Sequence, residues 1–226
     1  MRSLLLLPLL TAAHGASLLT LSNPVADGAI VTTAGNNDRS DWTTTTAFPT
    51  DADESYATDF QSITIAHDSA RFYIREQFYR TSNSGFFAGN QILLFDTDQS
   101  SGSGYTGPGG TYSIGAEYLL EGTNLYAFTG GTSQSAFLWD YLGSVSYDDF
   151  PYNDHELSFS RSLIGSPETF DFIAVSDYFG GADLYPDSAN GGDSGGYYTY
   201  TVVPEPTTGL LGLIAALGLM RRRREP

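Results

Sequence analysis

The chain has 226 residues, 26 of them acidic and 10 basic, for a net charge of −16 with no cysteine and no lysine. A surface of that sign repels nucleic acid and anionic lipid. The lack of thiols excludes disulfides, thiol catalysis and zinc–thiolate sites, so an exported chain of this kind relies on its core or on a metal.

Met1-Arg2-Ser3 leads into apolar Leu4–Leu10 and then into small residues, Ala12, Ala13, Gly15, Ala16 and Ser17. A short positive start, a brief apolar run and small residues make a secretory signal peptide. It is expected to cover residues 1–16, with cleavage after Gly15, Ala16 or Ser17. The body that follows, from Ser17 to Val203, holds 24 acidic residues against five arginines, Arg39, Arg71, Arg75, Arg80 and Arg161, a net charge of −19. It suits divalent cations and high ionic strength. Its histidines are His67 and His155, too few for a histidine-rich metal site.

The stretch to Pro49, with its Thr43–Thr46 run, is expected to be partly loop. Beyond it the apolar runs are short and alternate with period two, as half-buried strands do. Ile63 and Ile65 share a face. Phe72, Ile74 and Phe78 oppose Tyr73, Arg75, Gln77 and Tyr79. Ile92-Leu93-Leu94-Phe95 is apolar on both sides and predicts a central strand. Leu157 and Phe159 alternate with polar neighbours, as do Phe170, Phe172 and Ala174; His155 is expected on a strand surface. Tyr197–Val203 predicts a closing strand. Gly- and Ser-rich clusters at Ser82–Gly85, Gln99–Gly110, Gly130–Ser135 and Ser188–Gly196 mark turns, and Ser162–Ser166 suits one helical turn. About nine to eleven short strands without a sustained helical stripe predict an all-β fold, a β-sandwich of jelly-roll type over residues 17–202.

Val203-Pro204-Glu205-Pro206 then precedes an uncharged run, Thr207–Met220, and Arg221–Arg224. At ~1.5 Å per residue the run covers about 21 Å, short of the roughly 30 Å hydrocarbon core. That length suits a transient transmembrane helix over 207–220, with the arginine tail 221–224 on the cytoplasmic side. The order of Pro204, Glu205 and Pro206, an apolar run, and Arg221, Arg222, Arg223 and Arg224 resembles the PEP-CTERM sorting signal of Gram-negative bacteria, here residues 203–226. The resemblance implies removal of the tail by an exosortase, a membrane cysteine transpeptidase. It also implies export to the cell envelope or extracellular matrix of species that make extracellular polysaccharide.

Asp96-Thr97-Asp98 sits at the predicted end of a strand, ahead of the Gly-rich Ser100–Gly110. Carboxylates at i and i+2 followed by flexible carbonyls can wrap a hard cation such as calcium, which takes six to eight oxygens. Ser101 and Gly107 stand where an EF-hand loop needs glycine and glutamate, so it is not that motif. Glu117, Asp183 and Asp187 are candidate further ligands. The alternative is an Asx-turn in which the aspartates bond only local N–H groups. Trp42, Tyr105, Tyr112, Trp139 and Tyr185 are candidate stacking rings for sugar, with core packing as the alternative for each.

Several phrases together resemble an extracellular β-sandwich related to family 9 carbohydrate-binding modules. They are Asp27-Gly28 with Asp41-Trp42, Ile65-Ala66-His67-Asp68 with Arg71–Arg75, and Leu94-Phe95-Asp96-Thr97-Asp98 with Gly104-Tyr105. Gly115–Leu120, the Trp139 segment and Glu156-Leu157 continue the order, and Ala29–Arg39 is an insert relative to it. The resemblance implies a sandwich and a sugar-binding role. No nucleophile-elbow Gly-x-Ser-x-Gly occurs in a strand–turn–helix setting. The expected function is therefore a non-enzymatic surface module that binds extracellular polysaccharide, with calcium as its cation. A structural or adhesive envelope protein and a polysaccharide hydrolase are the alternatives.

Overall fold

The strands of this chain follow the period of its apolar residues. The structure, a computed structural model, describes residues 17–33, 35, 38–53, 58–80, 91–107, 112–131, 138–150, 153–176, 183–186 and 196–203. Twelve strands occur among them: β1 (Leu19–Leu21), β2 (Asp59–His67), β3 (Arg71–Arg80), β4 (Gln91–Asp96), β5 (Tyr118–Glu121) and β6 (Asn124–Phe128), then β7 (Trp139–Ser144), β8 (Ser146–Phe150), β9 (Asp154–Ser160), β10 (Thr169–Ser176), β11 (Leu184–Tyr185) and β12 (Tyr198–Thr201). The signal-peptide residues 1–16, Asp187, and the tail with Pro204, Glu205, Pro206 and Arg221–Arg224 lie outside the described residues. Among the described residues no helix is long and apolar enough to cross a membrane.

Two sheets form. The larger runs β1-β12-β10-β4-β5-β6-β7, with β11 also on β10; the smaller runs β2-β3-β9-β8. β3 pairs with β9 in one sheet while the next strand after each, β4 and β10, pair in the other. The chain thus crosses twice from the small sheet to the large one, and β4 to β7 continue there as a meander. The expected closing strand is β12, which pairs antiparallel with β10 and parallel with β1. The expected helical turn is a 3-10 turn at Arg161–Ile164, ended by Gly165 in the left-handed region at φ 77.

The core lies between the sheets. Ile63, Ile65, Phe72, Ile74, Phe78, Leu157 and Phe159 of the small sheet meet Leu93, Phe95, Leu120, Phe170 and Phe172 of the large one. Burying each such side chain contributes about 1.5–3 kcal/mol. Phe72 and Phe170 meet edge-on at 5.3 Å, as do Phe95 and Phe170 at 5.6 Å. β4 is buried at every residue, as a central strand must be. Leu93 and Phe95 enter this core, while Ile92 and Leu94 face the other side of the sheet.

His155 departs from its expected place. Its partner in register is Glu76, and both side chains are buried. They share the inward parity of Leu157 and of Phe78, against whose ring His155 packs at 5.1 Å.

Each sheet's outer face is also covered. Val25, Ile30 and Trp42 pack on Ala66 and Tyr73 of the small sheet, so the segment expected to be partly loop is largely irregular in its described residues, as expected, and serves as a strap. It is pinned by Arg39, whose guanidinium lies 3.1 Å from Asp148 and 2.9 Å from Glu156. Arg75 forks onto Asp154 beside it at 2.9 and 2.6 Å. The outer face of the large sheet is covered by the chain between β4 and β5, and the candidate site is there.

Candidate functional site

β4 ends on Asp96, whose side chain has the outward parity of Ile92 and Leu94. The chain then turns back across the sheet. Tyr105 and Ala116 exchange both backbone hydrogen bonds, at 2.8 and 2.9 Å, which closes the loop. The closure needs glycine at position 115: a Cβ there would lie 1.8 Å from the Ser103 carbonyl oxygen and 2.4 Å from that of Ser100.

This folding brings three of the expected carboxylates together. Asp96, Asp98 and Glu117 each place an oxygen so that all three lie within 4.8 Å of one another. Asp96 is fully buried and accepts from Ser100 N–H and Gly115 N–H, both at 3.1 Å. Asp98 is exposed and accepts from Ser100 N–H at 2.9 Å and the Ser103 hydroxyl at 2.8 Å. The Asx-turn bonds are therefore present together with the convergence. Glu117 Oε2 accepts from Thr97 N–H at 2.8 Å, while its buried Oε1 has no hydrogen-bond partner.

Burial pushes the Asp96 carboxyl up to about 6, the bonds from Gly115 and Ser100 oppose that rise, and the charges of Asp98 and Asp171 add to it. Glu117 is raised as well, chiefly by burial. Three carboxylate oxygens so placed are of the kind that could hold a hard cation. Asp183 is not part of the cluster: it is buried at the far end of β10, where Phe60 N–H donates to its carboxylate at 2.6 Å.

Beside this corner the same outer face carries a plate of rings. Phe128 pairs across strands with Trp139 at 5.4 Å, and Tyr126 with Tyr141 at 5.7 Å. Tyr105 lies against Trp139 at 5.3 Å and against Tyr112 at 6.2 Å. Trp139, Tyr112, Tyr126 and Phe128 are half-buried, and Tyr141 is 59% exposed. Glu121, itself raised by its burial, stands beside the plate and its charge adds to the rise that burial gives the Tyr126 hydroxyl.

The five expected stacking rings therefore divide. Trp139 and Tyr112 are on the plate. Tyr105, at 8% exposure, is buried beneath them and supports the plate rather than offering a face. Trp42, 4% exposed, is buried under the strap on the opposite side of the molecule. Tyr185 is 1% exposed, with its hydroxyl donating to the Pro49 carbonyl at 2.8 Å. Neither Trp42 nor Tyr185 can stack on a sugar from solvent. Tyr126, Phe128 and Tyr141 join the plate without having been expected. Their signal is aromatic alternation at i and i+2, Tyr126 with Phe128 and Trp139 with Tyr141, which places each pair on one face of its strand.

The fold is a two-sheet β-sandwich with essentially no helix among the described residues. No protein-family model matches the chain, and no curated protein matches it. Among solved structures, a family 9 carbohydrate binding module from Caldicellulosiruptor kristjanssonii, in complex with glucose, is similar with a TM-score of 0.45 at 9% identity. The match covers 83% of this chain and 96% of that one.

Proposed function

We infer that this chain is an exported, non-catalytic module that binds extracellular polysaccharide through the plate formed by Tyr112, Tyr126, Phe128, Trp139 and Tyr141. The observation that carries this is the pair of cross-strand ring contacts, Phe128–Trp139 and Tyr126–Tyr141, partly open to solvent on one sheet face. Flat apolar rings beside carboxylate acceptors suit the apolar face and rim hydroxyls of a sugar. Calcium at Asp96, Asp98 and Glu117 holds the loop that supports Tyr105 and Tyr112. Binding of residues 17–203 to glycan arrays and insoluble polysaccharides, with and without a calcium chelator, tests this. Blank arrays and pull-downs would remove it.

The chain is further read as a substrate of an exosortase-like enzyme acting at Pro204-Glu205-Pro206, with 207–220 and Arg221–Arg224 as a tail held briefly in the inner membrane. The protein would then reside in the cell envelope or matrix of a Gram-negative bacterium. Support comes from the order of the sequence, in which Pro204-Glu205-Pro206 is followed by the uncharged run 207–220 and then by four arginines. A mature C-terminus beyond Met220, found by mass spectrometry after export, would contradict it.

One observation favours an adhesive or structural role. β7 and β8 are the terminal strands of the two sheets and expose Tyr141, Leu142 and Tyr147. Self-association in sedimentation without glycan binding is the result that role requires.

A further inference from the structure

His67, the last residue of β2, ties down the end of the described fold. Its side chain is buried, with Nε2 2.9 Å from the Val203 carbonyl oxygen and Nδ1 2.6 Å from the Tyr200 hydroxyl. A carbonyl oxygen only accepts, so Nε2 carries the proton and the Tyr200 hydroxyl donates to Nδ1. The Tyr200 oxygen in turn accepts from Asn23 N–H at 3.2 Å, and His67 N–H donates to the Asn23 carbonyl at 3.0 Å. One ring therefore joins the N-terminal segment, β2, β12 and the residue just ahead of Pro204.

The surroundings keep that ring in the state both bonds require. Burial holds its pKa below the ordinary histidine value; the bond to Val203 and the charge of Asp68 oppose this, and Arg161 adds to it. Next in the chain, Val202 N–H donates to the Glu168 carbonyl at 2.8 Å. Pro204 has no N–H to carry the ladder further. The sandwich thus reaches the Pro-Glu-Pro segment with no described spacer.

We propose that His67 is a clamp on this junction: by holding Val203 against the sandwich it withholds the residues ahead of Pro204 from a cleaving enzyme, and so sets the rate at which the tail is removed from the folded protein. The proposal rests on the reading of Pro204–Pro206 as a processing site. A peptidase that binds its substrate extended must engage backbone on both sides of the bond it cuts. Val202 and Val203 become available only when they peel away from Glu168 and His67. Such end-fraying is a local opening with its own equilibrium, and cleavage follows the open population when reclosing is fast. Losing the ring's hydrogen bonds is expected to raise that population about tenfold.

The test uses the full chain in detergent and three variants. His67→Phe keeps a ring and removes both bonds, His67→Gln keeps a donor near the Nε2 position, and Tyr200→Phe removes the hydroxyl that bonds both His67 Nδ1 and the Asn23 backbone. The readouts are hydrogen exchange at the Val202 amide, cleavage of the Val202–Val203 bond by an elastase-type protease, and the melting temperature. His67→Phe is expected to speed exchange and cleavage about tenfold, with Tyr200→Phe intermediate and His67→Gln close to the parent. Unchanged rates in both His67→Phe and Tyr200→Phe would overturn the clamp. So would acceleration fully accounted for by a lower melting temperature in both. None of these readouts needs the host's processing machinery. Failure of an exporting host to cleave the tail, with exchange responding as stated, would instead remove the sorting role on which the clamp's use depends.

Discussion

Asp96 of β4 and Asp171 of β10 stand directly opposite one another in the large sheet, and both are buried. Like charges facing each other across strands destabilise a sheet. Asp171 is compensated by the Thr199 hydroxyl at 2.6 Å and the Gln99 amide at 3.2 Å. Asp96 shares its corner with Asp98 and Glu117 and has backbone N–H groups alone as described donors.

A pH dependence follows. The folded Asp96 carboxyl titrates at about 6, above its ordinary 3.8, so the fold binds this proton more tightly than the unfolded chain does. Asp96 therefore weakens the fold above that range, and stability returns as pH falls from about 6 toward 4. Glu117 acts in the same direction, as does Glu156, which burial pushes up to about 8. His67 opposes them: its lowered pKa contributes stability above about 6.5 that is lost on acidification. With a chelator present, the melting temperature is expected to rise between pH 7 and 5. Calcium should raise it at pH 7 and reduce the acid gain, and Asp96→Asn should abolish the calcium response while leaving the part of the acid gain that Glu156 contributes.

Trp139→Ala is expected to weaken polysaccharide binding about tenfold or more, because it removes a central ring of the plate. The melting temperature should change little, since the ring is half-buried at the β7 edge. Trp42→Phe is the contrasting variant. It should lower stability without changing affinity, which isothermal titration and thermal melts together would show.

Gly115→Ala forces a methyl group onto the backbone oxygens of Ser103 and Ser100. The loop must move, taking with it the Gly115 N–H bond to Asp96. A loss of about 2 kcal/mol or more in urea unfolding is expected, together with loss of any calcium response.

Arg39→Ala leaves Asp148 and Glu156, both fully buried on their side chains, without the guanidinium between them. Removing one member of a buried charge cluster costs about 3–5 kcal/mol, and Glu156, whose carboxyl burial pushes up to about 8, limits the loss by taking up a proton. Since Arg39 keeps a little exposure, the lower end is expected, accompanied by faster proteolysis of the strap around Ile30 and Trp42.

The faces of β2, β3, β9 and β10 were legible because a strand's period is fixed at two; once Phe72, Ile74 and Phe78 are assigned inward, Tyr73 and Arg75 must point out. β4 was legible from a different sign, the unbroken apolar run Ile92–Phe95, which is buried on both faces. The Asp96–Asp98 corner was legible from spacing alone. Glu117 was named as one ligand among several, and its selection over Asp183 depends on the loop closing through Tyr105 and Ala116, a contact that spacing cannot display. For Trp42 the core alternative holds, and spacing could not decide it because its burial depends on a strap crossing a sheet distant in sequence. His155 was misjudged because Glu76 opposite it also breaks the apolar pattern, and two polar residues facing inward together look like a surface. The outward rings at Tyr126, Phe128 and Tyr141 were present as alternation. They become a plate only when β6 and β7 are known to be neighbours at the edge of the sheet.

The position of β12 has a consequence for how this protein is made. It is inserted between β1 and β10, so the opening strand has no sheet to join until the closing one has arrived. Contacts that span nearly the whole body form slowly. A polypeptide synthesised from its N-terminus therefore completes this sheet only after Tyr198–Thr201 has emerged, and a product truncated before that point would leave Leu19–Leu21 stranded as a marker of incomplete synthesis.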